Sequence, residues 1–105
     1  MNQPQTIQDF CDKVLRLTLR STYDSHVIEP LNKNLRAFYK AYLSDKSPAD
    51  VEAAAKQVEG SLMVWGNYQS TQGLIVYATG SNMADAERLI DELYELVEAY
   101  AKAHS

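Results

Sequence analysis

A single cysteine, Cys11, stands in the 105 residues, so no disulfide can close within the chain and a disulfide-stapled fold is excluded. A lone thiol suits a reducing compartment, and we expect the cytoplasm. No run of about 18 apolar residues occurs, which removes a membrane-spanning helix. The opening Met1-Asn2-Gln3-Pro4-Gln5-Thr6 is polar and lacks the basic-then-apolar order of a secretory signal. Residues 1–5 are expected to be flexible. Four glycines and three prolines are too few for a loop-rich chain, and no repeat or low-complexity tract is found.

Histidine is scarce as well. His26 and His104 stand alone, and there is no HxH, HxxxH or CxxC spacing. We therefore expect no metal site and no cofactor. Basic charge is not in excess either: ten Lys and Arg face fourteen Asp and Glu, for a net charge of −4. That balance argues against a generic binder of polyanions.

What remains is an ordinary globular composition, with 46% hydrophobic and 23% charged residues, expected to fold as one domain over 1–105. Thr6, with Asp9 three residues on, opens a helix over about 6–22 whose inner stripe is Ile7, Phe10, Val14 and Leu17, with Cys11 and Thr18 beside it. Pro30 suits a first turn, so a second helix is placed at about 29–43 on Leu31, Leu35, Phe38 and Tyr42, with 26–28 available as an added turn. Ser47 and Pro48 read as cap and first residue of a third helix that turns Val51, Ala54, Ala55 and Val58 inward and ends near Gly60. A long amphipathic helix over about 83–103 follows from Met83, Ala86, Ile90, Leu93, Val97 and Tyr100, widened by Leu89 and Leu96.

Residues 61–80 are ambiguous. Leu62 and Trp65 continue the spacing of the third helix. Yet Leu62-Met63-Val64-Trp65 and Leu74-Ile75-Val76-Tyr77 are apolar runs around a turn-like Gly66–Gly73 stretch, which reads as a short β-hairpin. The expected fold class is thus α+β and helix-dominated: three helices, the hairpin and the long C-terminal helix. An all-α bundle, with 61–80 helical, is the alternative.

Charge is unevenly spread. Residues 1–46 carry a local +2, while 47–80 carry −2 and 81–105 carry −4. Lys13, Arg16 and Arg20 run along one side of the first helix, and Lys33, Arg36 and Lys40 repeat the spacing on the second. Asp91, Glu95 and Glu98 form an acidic line on the last, supported by Glu87 and Glu92. Such lines are solvated faces, or they steer a partner or a second copy. The basic ones also suit contact with a nucleic-acid backbone.

Leu15 and Leu19 lie off the inner stripe of the first helix, and seven tyrosines suit half-buried, half-wet positions. We expect an interface at Leu15, Leu19, Tyr23, Tyr39 and Tyr42, made with another protein or with a second copy in a homo-oligomer, most simply a dimer. Gly80, Ser81 and Asn82 precede a helix and can hold an anion, although ordinary capping explains the same residues. Cys11 beside an apolar stripe reads as an inert packed thiol and not as the nucleophile of a pair with His26. Catalysis is not expected. The expected function is a non-catalytic protein–protein interaction module, such as an adaptor, an inhibitor or a small subunit of an assembly. The alternatives are a nucleic-acid-associated subunit using the six basic residues and a sensor of a small anionic ligand.

Overall fold

A computed structural model of the chain describes residues 6–21, 25–71 and 82–104. Among them are four helices, α1 (Ile7–Ser21), α2 (Ser25–Leu43), α3 (Pro48–Thr71) and α4 (Asn82–Ala103), and no strand. Two of the helix starts follow the cap chemistry read from the sequence. The Thr6 hydroxyl accepts from the Asp9 N–H at 3.0 Å, and the Ser47 hydroxyl accepts from the Asp50 N–H at 3.2 Å, with Pro48 opening α3. α2 begins earlier than Pro30 suggests. Buried Val27 lies one turn before buried Leu31, and packing that extra turn offsets the hydrogen bond Pro30 cannot donate. α2 ends where Asp45 takes a φ of 60°, the left-handed region that Asp tolerates better than most side chains.

The expected hairpin does not form over its first strand. Residues 61–71 continue α3, and the fold is helix-dominated, an all-α bundle among the described residues. Val51, Ala55, Val58, Leu62 and Trp65 step at four and three residues and are all buried to 1% exposure or less. Val64, inside the same apolar run, is 54% exposed. Burial therefore follows the helical period through the run. Gly60 and Gly66 each cost a helix only about 1 kcal/mol, and burying a large side chain such as Leu62 or Trp65 returns roughly 1.5–3 kcal/mol or more. The second run, Leu74–Tyr77, lies outside the described residues.

α3 makes the broadest contacts, with α4 on one side and α2 on the other, while α1 closes more lightly on α2 and α4. At Gly66 α3 and α4 lie in close contact: a Cβ there would meet Ala86 Cβ at 3.1 Å and Met83 Cα at 3.2 Å. An aromatic ladder runs from α1 to the end of α4. Phe10 meets Phe38 edge-on at 6.3 Å, Phe38 meets Tyr42 at 5.9 Å, Tyr42 meets Tyr100 at 4.9 Å, and Tyr100 stacks on His104 at 4.0 Å. In α4 the fully buried line is Ala86, Leu89, Leu93, Leu96 and Tyr100, so the two leucines expected to widen the stripe lie at its centre, and Ile90 and Val97 are half-buried.

Candidate functional site

Each helix seam carries a polar tie, and these ties decide which charged residues remain available. Lys13, the first member of the basic line on α1, donates to both carboxylate oxygens of Glu92 on α4 at 2.9 and 3.0 Å. One residue of the basic line is thus neutralised within the chain by one from the acidic helix. Asn34 donates to the Ser61 hydroxyl at 2.7 Å between α2 and α3, and the Tyr94 hydroxyl donates to Glu59 at 2.6 Å between α4 and α3. Burial, together with that carboxylate, pushes the Tyr94 phenol up to about 12. At the far end His104 Nε2 lies 2.6 Å from Asp45 Oδ1 and its Nδ1 lies 2.9 Å from the Tyr100 carbonyl. Both partners only accept, so the imidazolium, which donates from both nitrogens, is the form this arrangement satisfies.

A groove of about 390 Å³ separates α1 from α2. Cys11 and Leu35 are buried along it and Leu15 is half-buried, while Gln8, Asp12, Asn32, Arg36 and Tyr39 supply its polar wall. The Tyr39 hydroxyl donates to Gln8 Oε1 at 2.9 Å, and Gln8 Nε2 donates to Asp12 at 3.0 Å, which fixes one end of that wall. Opposite, Asn32 Oδ1 is buried and has no hydrogen-bond partner among the described residues. A buried acceptor left unpaired costs roughly 1–3 kcal/mol.

The groove unites residues that the sequence placed in two separate sets. Leu15 and Tyr39 come from the expected interface, and Arg36 from the basic line on α2. Tyr42 goes elsewhere, into the aromatic ladder, where it borders the core. Arg16, Lys33, Arg36 and Lys40 are exposed and make no ion pair among the described residues. Tyr23, Gly80 and Ser81 lie outside the described residues, as do the side chains of Leu19, Arg20, His26 and Asn82. Asn32 was missed by sequence reasoning. An asparagine on a helix side carries no signal of its own, and only the packed structure shows that its oxygen is buried.

Burial, and secondarily the neighbouring Asp12 charge, raises the Cys11 thiol to about 11, so at neutral pH it is a protonated, weak nucleophile. No three His, Cys, Asp or Glu side chains group to hold a metal among the described residues. No helix among them is long and apolar enough to cross a membrane. Compared with family models, with curated proteins and with solved structures, the chain matches none.

Proposed function

We propose that this chain is a non-catalytic protein–protein interaction module that works through its helical surfaces, with the α1–α2 groove as its docking site. The observation that carries the reading is a groove between α1 and α2 that holds half-buried Leu15 beside Leu35, with exposed Arg36 at its edge. The occupant that fits is a segment of another protein that lays an apolar side chain against Leu15 and Leu35. Arg36 at the rim adds a charged contact that sets orientation more than affinity. An adaptor, an inhibitor or a small subunit of an assembly would all use such a groove.

The test is parallel capture from nuclease-treated lysate of the source cells on wild-type, Leu15→Asp and Arg36→Glu chains. Circular dichroism shows first that each variant keeps its helices. A protein held by the wild type, lost with Leu15→Asp and weakened with Arg36→Glu supports the groove. Retention unchanged in both variants refutes it. Arg16, Lys33, Arg36 and Lys40 keep a second reading in view, association with a nucleic-acid backbone. That reading requires capture of nucleic acid without nuclease, release by salt, and loss when these cations are neutralised.

A further inference from the structure

We infer that the segment docking in the α1–α2 groove is an amphipathic helix of a partner protein with acidic residues along one flank, held over Leu15 and Leu35 by Lys33, Arg36 and Lys40. The inference rests on that groove being the docking site and adds the chemistry of its occupant. Lys33, Arg36 and Lys40 step by three and four residues along α2, so they share one side of it and span about 10 Å. All three are exposed, and none has an ion-pair partner among the described residues. α2 holds a single acid, Glu29, against them. Arg36 lines the groove itself, and the three form a positive edge along its α2 wall in a chain whose net charge is −4.

The walls select a helix and place its charge. Both walls are helices, whose N–H and C=O groups bond within their own turns. They offer no free edge, so an occupant has to satisfy its own backbone, which a helix does and an added strand does not. α2 meets α1 more lightly than it meets α3, and a helix laid along the lighter seam extends the bundle by the same side-chain packing. Its apolar stripe meets half-buried Leu15 and buried Leu35. Asp12 stands on the opposite, α1 wall. The acids therefore belong to the flank facing α2, and the flank facing Asp12 is neutral or basic, a division that the distinct sides of a helix maintain. A nucleic-acid backbone, charged along its whole length, brings phosphate to Asp12 as well and leaves Leu15 and Leu35 unmatched. Because two helices share one rise per residue, the outer two of the matching acids stand about seven residues apart. A second copy does not supply this helix. α4 carries acids at that spacing, Asp91, Glu95 and Glu98, but Leu89, Leu93 and Leu96 of its apolar stripe are buried in its own core.

Capture from nuclease-treated lysate, followed by carbodiimide cross-linking and mass spectrometry, tests this. The reagent joins a lysine amine directly to a carboxylate and so reports pairs in contact. The captured protein should be cross-linked through Lys33 and Lys40 to acids of one segment, about seven residues apart. Lys33→Glu/Arg36→Glu/Lys40→Glu should cut its retention at physiological salt at least about tenfold, since charge reversal sets like charges against each other. Lys33→Gln/Arg36→Gln/Lys40→Gln, which adds no acid to α2, should give a smaller loss. Circular dichroism checks that each variant keeps its helices. A protein released by Leu15→Asp yet held in full by both triple variants overturns the inference and leaves the groove reading standing. A protein held by folded Leu15→Asp overturns the groove reading and the inference with it, as does a capture without protein. Cross-links to scattered acids, or to a second copy of this chain, overturn the inference. So does nucleic acid as the sole captured species when nuclease is omitted.

Discussion

Two glycines six residues apart in α3 should respond in opposite directions to the same substitution. At Gly60 an added methyl meets nothing within 4 Å, so Gly60→Ala gains helix propensity without strain, about 0.8–1 kcal/mol. With an unfolding entropy of about 2.1 cal/mol/K per residue, the 105 residues convert that gain into a rise of about 4 °C in Tm. At Gly66 the same methyl meets Ala86 Cβ at 3.1 Å, Met83 Cα at 3.2 Å and Met83 Cε at 3.3 Å. The Met83 thioether end can swing away, but Met83 Cα and Ala86 Cβ are fixed to the backbone of α4, so α3 and α4 must separate by a few tenths of an ångström. Overpacking of that kind costs typically 1–3 kcal/mol. It exceeds the propensity gain, leaving Gly66→Ala destabilised by about 1 kcal/mol. Thermal unfolding followed by circular dichroism, at a concentration low enough to keep the chain monomeric, should separate the two variants by about 8 °C with the wild type between them. If Gly66→Ala melts at or above Gly60→Ala, the close approach of α3 and α4 at this point is wrong.

Two further outcomes follow from the titratable groups. His104 has a raised pKa because it donates to Asp45 first and to the Tyr100 carbonyl second; the contact therefore stabilises the fold fully below the ordinary value of 6.5 and is lost as pH rises through the raised one. A proton NMR titration of the His104 ring should show a midpoint above 6.5 that falls in Asp45→Asn, and a wild-type midpoint at or below 6.5 removes the contact. Cys11, raised from 9.0 to about 11, should carry roughly a hundredfold less thiolate near neutral pH than an ordinary cysteine. Iodoacetamide should accordingly label the folded chain far more slowly than the urea-unfolded chain, and equal rates would show that the thiol is not packed.

Most of the helical core was readable because a 3.6-residue stripe and a cap are local signals: Thr6, Ser47 and Pro48 mark their boundaries, and Phe10, Leu31, Val51 and Leu93 face inward as their spacing demands. The first half of the hairpin was misread at Leu62-Met63-Val64-Trp65 because a short apolar run has no period of its own. Only the stepping of Leu62 and Trp65 from Val58, against the outward Val64, settles it. Pro30 signals a helix start, with 26–28 open only as an added turn, and the burial of Val27 one turn earlier shows that turn formed. The groove was half legible. Leu15 stood out as an apolar residue off the stripe, but the burial of the Asn32 oxygen is a product of packing. Gly60 and Gly66 look alike in the sequence, and only their neighbours distinguish an open position from a crossing point.

The crossing at Gly66 has a consequence for the ten residues that join α3 to α4. Past Gly66, α3 runs on to Thr71, about 8 Å of helix, and α4 starts at Asn82, next to Met83 at the crossing. From Thr71 back to the level of Met83 is roughly one and a half turns of helix, and the axes of packed helices stand about 8–10 Å apart. Ten residues can span at most about 33 Å, more than that separation. Because closure entropy changes by only about 0.6 kcal/mol when a loop is halved or doubled, geometry does not dictate the length of this segment.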